Sequence, residues 1–135
     1  MGGRDPWDRG RERRGSEPLG FLQLCADRRF HRMTMTAFEA RTGLEPGQYW
    51  IEASAGGAAA FGAASLTAEY AHTKGARIMG WAVHGDECGG FPGRSDFDMK
   101  TLLQAVARSR YKDFPDVEHW TLFAAAGSVE AAKLF

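Results

Sequence analysis

The sequence predicts an α/β domain with a small three-stranded, mainly parallel sheet and flanking helices, the layout of half a Rossmann fold. Three observations carry this expectation. Short apolar or alternating runs at 48–54, 76–83 and 119–126 have the length and composition of strands. Helical spacing occupies the intervals between them, with glycines or Ser/Asp pairs at the junctions. Strands that alternate with helices are joined by right-handed crossovers, which makes them parallel. An α+β arrangement with one antiparallel strand is the alternative.

Taken in order, residues 1–32 are expected to be a disordered basic extension, followed by a single α/β domain over 33–135. The stretch GGRDPWDRGRERRGSEP is rich in Gly, Arg and Pro and has no apolar period. Residues 1–32 hold eight Arg against five acids, net +3, while the rest hold nine basic and twelve acidic groups, net −3. The run LGFLQLCA (19–26) follows Arg13-Arg14 as the apolar core of an export leader would. It is about one turn short of such a core, Glu17 and Pro18 interrupt the approach, and no small-x-small cleavage site follows.

Thr36-Ala37-Phe38-Glu39 has the form of a capping box, and Gly43 is a natural stop for a short helix. Glu45-Pro46-Gly47 is turn chemistry. QYWIEAS (48–54) then puts Tyr49, Ile51 and Ala53 on one face of the first strand. AGGAAAFGAASLTAEYAHTKG (55–75) opens as a Gly/Ala-rich loop and becomes a helix. Its Phe61, Ala64, Ala68 and Ala71 make a small-residue face, and Gly75 closes it.

ARIMGWAV (76–83) is apolar enough for a strand buried on both faces. Ser95-Asp96-Phe97-Asp98 caps a helix with apolar residues at 99, 102, 103, 106 and 107, and Arg108 and Arg110 suit its last turn. HWTLFAAA (119–126) is the third strand. Gly127-Ser128 then starts a terminal helix with Glu130 in its first turn. Trp50, Trp81 and Trp120 fall in strands and are assigned to the core.

Composition excludes several classes of function. Seventeen basic and seventeen acidic side chains cancel, so no global field steers the chain toward nucleic acid. The basic cluster Arg108, Arg110 and Lys112 runs straight into Asp113, Asp116 and Glu118. No apolar stretch approaches the roughly 20 residues that span a bilayer. Two cysteines, Cys25 and Cys88, could form one bridge but do not make a disulfide framework, and a reducing cytoplasm is the expected location. The two open edges of the sheet leave room for a second copy, so a homodimer is a natural partner.

Parallel strands place their carboxyl ends, and the helix starts that follow, along one edge of the sheet. Ligands of open α/β sheets bind there, and helix N-termini favour anions. Ser54, Gly56, Gly57, Gly89, Gly90, Ser95, Gly127 and Ser128 are therefore the candidate ligand-binding residues. Gly56, Gly57 and Gly62 fit neither G-x-G-x-x-G nor the phosphate-loop pattern. The Gly-Gly turn, the small-residue helix and Gly75-Ala76-Arg77-Ile78-Met79-Gly80 together resemble the cofactor-binding half of medium-chain reductases, which implies a nucleotide at the turn. The 17 residues between Gly57 and Gly75 are too many for that pattern, and no acid directly ends the second strand.

The connection WAVHGDECGGFPGRSDFD (81–98) concentrates reactive side chains. His84, Asp86 and Cys88 are the candidate catalytic residues: His84 as base, Asp86 as its orienting group, and Cys88 as a nucleophile beside the N–H groups of Gly89 and Gly90. In extended geometry the three would also share one face, as metal ligands do. No metal is assigned, because H-x-D-x-C is not an established spacing and a fourth ligand is missing. His72 and His119 would lie at the opposite end of the sheet. The function expected is binding of a small anionic ligand, such as a nucleotide or phosphorylated metabolite, at the carboxyl edge. No specific cofactor is indicated. The alternative is a non-catalytic protein-interaction or regulatory module.

Overall fold

The computed structural model describes residues 19–135. In chain order they form β1 (Leu19–Cys25), α1 (His31–Thr42), β2 (Tyr49–Ser54), a 3-10 turn (Gly57–Ala60), α2 (Leu66–Thr73), β3 (Ala76–His84), α3 (Asp96–Asp113), β4 (Glu118–Ala125) and β5 (Ser128–Lys133). The sheet has five strands in the order β2-β1-β3-β4-β5. β1 pairs in parallel with β2 and β3, β3 in parallel with β4, and β5 runs antiparallel to β4.

The α/β class and the parallel core agree with the sequence, but two elements correct it. Residues 19–32 are not part of a disordered extension. They supply β1, an interior strand between β2 and β3, and the start of α1. The expectation for residues 1–18 lies outside the described residues. The physical reason is legible in LGFLQLC: Gly20 to Cys25 are all buried, and a central parallel strand covered on both faces reads as one apolar run. Such a run without alternation looks like a leader core when the Arg-rich stretch before it is taken as its context.

The second correction is at the carboxyl end, where Ser128–Lys133 is a strand and not a helix. Ala126 (φ 51°) and Gly127 (φ 78°) both adopt left-handed backbone between the paired Ala125 and Ser128. Two consecutive positive φ values are the signature of a two-residue hairpin turn, whose twist matches that of the strands. Pairing with β4 along Ser128–Lys133 satisfies the backbone groups that face it.

Helices cover the sheet on both faces. On one side Phe38 of α1 packs with Leu22, Leu24, Tyr49, Ala82 and Leu122. Gly80 makes that approach feasible, since a Cβ there would lie 2.6 Å from the Phe38 ring. On the other side Phe21, Met79, Trp81 and Phe123 meet Ala68 and Ala71 of α2 and Met99, Leu103 and Ala107 of α3. Ala68 and Ala71 let α2 lie close to the sheet, whereas Phe61 and Ala64, expected on the same helical face, precede the helix. α2 starts later than expected, at Leu66, where the Ser65 hydroxyl accepts the Ala68 N–H. α3 carries the expected capping box, with Ser95 and Asp98 each accepting the other's backbone N–H. α1 begins five residues before the predicted box, at His31, and Phe30 before it supplies no side-chain cap.

Trp81 is fully buried, and its indole N–H donates to Nδ1 of His119 at 2.9 Å. His119 in turn donates from Nε2 to the Phe114 carbonyl. Both ring nitrogens are used in the neutral state, and burial holds the His119 pKa below its ordinary value. This histidine belongs to the core.

From β1 the chain moves outward to β2, then returns across β1 to β3 and continues outward to β4. The direction of winding therefore changes between β1 and β3. Their carboxyl ends diverge into separate loops at that point, which is where open α/β sheets form ligand crevices.

Candidate metal centre

Cys25 is the last residue of β1 and His84 the last of β3, so pairing of these neighbouring strands brings their side chains to the switch point. Cys88 reaches the same place from the loop after β3. The ligand atoms of Cys25, His84 and Cys88 all lie within 4.8 Å of one another, and all three residues are buried. The two sulfurs are 4.0 Å apart and neither is in a disulfide.

The His84 ring is oriented by two contacts. Its Nδ1 donates to the Gly85 carbonyl at 2.7 Å, and Phe30 stacks on it with centroids 4.3 Å apart. A carbonyl only accepts, so Nδ1 carries the proton and Nε2 keeps a free lone pair in the neutral ring. Nε2 is buried and has no hydrogen-bond partner. Its nearest acidic oxygen, Oδ2 of Asp27, is 3.7 Å away, beyond hydrogen-bond range.

Bringing Cys88 back to Cys25 requires an abrupt turn after β3. Asp86 (φ 52°) and Glu87 (φ 64°) both take left-handed backbone, an unfavourable choice for residues with a Cβ. Side chains from three directions hold them there. Asp96 accepts the Asp86 N–H through Oδ1 at 3.0 Å, and the Asp86 carboxylate accepts the Ala126 N–H at 2.7 Å. Arg29 donates through Nη2 to the carbonyls of Asp86 and Glu87 at 3.3 and 3.1 Å. The same guanidinium makes Nη2–Oδ2 (2.7 Å) and Nε–Oδ1 (3.1 Å) bonds to Asp27. That hydrogen bonding holds the Asp27 carboxyl well below the usual carboxylate range. Arg29 thus ties the loop after β1 to the loop after β3.

Burial pushes the Cys88 thiol up, while the backbone N–H groups of Gly90 and Phe91 pull it down. Behind the cluster, two glycines allow backbone to touch backbone. A Cβ on Gly57 would lie 2.3 Å from the Ala82 carbonyl and 3.0 Å from the Cys25 nitrogen, and one on Gly90 would lie 2.5 Å from the Gly56 nitrogen.

Of the candidate catalytic residues, the structure brings His84 and Cys88 together and sends Asp86 elsewhere. The expected extended geometry does not occur, because positive φ at 86 and 87 breaks the alternation, and the Asp86 carboxylate is spent on the β4–β5 turn. Ser54 pairs in register with Cys25, and Gly56, Gly57 and Gly90 pack beside the cluster as backbone spacers. Gly89 has open space where a Cβ would be, and Gly90, expected to serve an oxyanion, addresses the Cys88 sulfur instead. The Ser95 hydroxyl is engaged as a helix cap. Gly127 and Ser128 sit in a hairpin turn, so the helix start expected there, with its free N–H groups, is absent.

Sequence reasoning missed Cys25, Asp27 and Arg29. The available signal was Cys25-x-Asp27-x-Arg29 directly after an apolar run, which gains meaning only once 19–25 is read as a strand beside β3. Cys25 joins His84 and Cys88 from that strand. His72 and His119 stay out of the cluster, as expected: His72 pairs with Asp116 and His119 with Trp81. No protein-family model matches the chain, and no curated protein matches it either.

Proposed function

We propose that Cys25, His84 and Cys88 bind one zinc ion, and that the chain is an enzyme in which this zinc activates water against a small electrophile. The observation that carries the reading is the buried, partnerless Nε2 of His84 beside two free thiols. A buried acceptor without a partner costs about 1–3 kcal/mol, and a metal ion would remove that cost. The donor set suits zinc among the common divalent ions, since two thiolates and one imidazole are borderline-soft ligands. The spacing suits it too. Tetrahedral zinc with bonds of about 2.3 Å to sulfur holds its sulfurs ~3.8 Å apart, against 4.0 Å here. The donation from Nδ1 to a carbonyl is the outer contact that ligating histidines generally make.

Three protein ligands leave a fourth position, the arrangement of catalytic rather than structural zinc. Zinc bound in this way supplies a Lewis acid that brings the pKa of its water to about 7. Asp27, which is partly exposed, stands with Oδ2 3.7 Å from the His84 Nε2. Held charged by Arg29, its Oδ2 would accept a hydrogen bond from a nucleophilic water beside the ion and so orient it. A small anion could enter the same position, which gives the anionic ligand expected at the carboxyl edge a physical basis. A nucleotide finds less support, because Gly57 and Gly90 spend their close approaches on neighbouring backbone.

Metal analysis of the purified chain tests this directly. One zinc per chain is expected, lost in Cys25→Ser, His84→Ala and Cys88→Ser and retained in Asp86→Asn. Hydrolysis of a small activated ester should stop with a chelator and return with zinc. A chain that takes up no zinc, or an Asp86→Asn variant as defective as Cys25→Ser, contradicts the assignment.

A further inference from the structure

Cys25 and Cys88 are 63 residues apart in sequence, yet their free sulfurs lie 4.0 Å from each other. A disulfide bond is about 2.05 Å long, so the sulfurs need to close by roughly 2 Å. One partner is anchored at the end of β1, while the other sits in a loop followed by Gly89, around which there is open space. Without a metal the pair is therefore a vicinal dithiol near bonding distance. We propose that it is a redox-sensitive modification site: in the metal-free chain a peroxide-class oxidant joins Cys25 to Cys88, and the disulfide excludes zinc. The exclusion rests on the zinc reading above, whereas the disulfide itself does not.

The chemistry balances with peroxide alone. Cys25 is the more accessible of the two, 7% exposed against 1% for Cys88, so it is attacked first. Its thiolate displaces hydroxide from peroxide, breaking the O–O bond and forming a sulfenic acid; the hydroxide takes up the thiol proton as water. The Cys88 sulfur then attacks the Cys25 sulfur, the S–O bond breaks, and the second water leaves with the Cys88 proton. Two thiols lose two electrons and two protons, and one peroxide becomes two waters. A dithiol reductant reverses the change. Only thiolates ligate zinc, so the oxidised pair has no sulfur ligand to offer. Bound zinc in turn engages both sulfur lone pairs and protects them. The nearness of Cys88 also limits further oxidation, because it resolves the sulfenic acid within the molecule.

The test is intact mass and peptide mapping of the full chain after stoichiometric hydrogen peroxide, with and without prior zinc loading. The chelator-stripped chain should lose about 2 Da, yield a Cys25–Cys88 linked peptide, and recover its mass with dithiothreitol. It should refuse zinc until reduced, and zinc-loaded chain should oxidise at least about tenfold more slowly. Cys88→Ser should gain oxygen on Cys25 instead of losing hydrogen. Oxygen added to either cysteine of the stripped wild-type chain, or disulfides between chains, would overturn the proposal. A disulfide that forms equally fast with and without zinc overturns the coupling and the zinc reading, and leaves the redox pair standing.

Discussion

Single residues in this fold are constrained by backbone contact as much as by side-chain chemistry. Gly57 combines left-handed backbone (φ 60°) with contact to the Ala82 carbonyl. Gly57→Ala is expected to destabilise the chain by at least about 3 kcal/mol, measured by denaturant unfolding, because strain and overlap add. A loss near zero would mean that the turn behind Cys25 can shift freely. His119 gives a pH prediction. Its pKa is lowered by burial, so the folded state favours the neutral ring. The associated stability is full above the unfolded value of about 6.5 and is lost as pH falls through the folded value. Unfolding free energies measured from pH 7.5 to 4.5 should fall less steeply in His119→Gln than in the wild type; equal slopes would contradict the assignment. Sequence alone placed His119 at a strand start, away from the loop, but its bond to the Trp81 indole depends on register between β3 and β4. No local pattern carries register.

Between elements, the decisive link is Arg29, which joins the loop after β1 to that after β3 through Asp27 and two carbonyls. It hydrogen-bonds none of the three residues proposed to hold zinc. Its loss should loosen the turn that delivers Cys88 and lower zinc affinity by about 10–100-fold, the range typical of outer-shell partners. Competition with a coloured chelator measures this for Arg29→Ala. Arg29→Lys should recover only part of the affinity, because an ammonium cannot span a carboxylate and two carbonyls as a guanidinium does. Unchanged affinity in Arg29→Ala would remove Arg29 from the account. Local signals did mark the elements with strong chemistry of their own: the Ser95–Asp98 box and the apolar run of β3 occur where their residues point, while of the predicted small face only Ala68 and Ala71 lie on α2. β5 was missed because its turn rests on a non-glycine residue, Ala126, at positive φ, while Glu130 just after a Gly-Ser pair imitates a helix start.

For the whole molecule, topology creates the site. The order β2-β1-β3-β4 sets Cys25 and His84 at adjacent strand ends where the winding reverses. The carboxyl edge was readable from the alternation of strands and helices, and so was the place of His84 and Cys88 beside it. Their partner was not, because Cys25 stands 59 positions before His84 in a segment whose charge-rich neighbourhood disguised a central strand. Among the described residues no helix is long and apolar enough to cross a membrane. This meeting of two strands and a loop is proposed to be a zinc site with a position to spare. X-ray absorption at the zinc edge, on chain loaded with one equivalent, tests it most directly. Two sulfur neighbours at about 2.3 Å and two nitrogen or oxygen neighbours at ~2.0 Å are expected. A shell of oxygen and nitrogen alone, without sulfur, would contradict it.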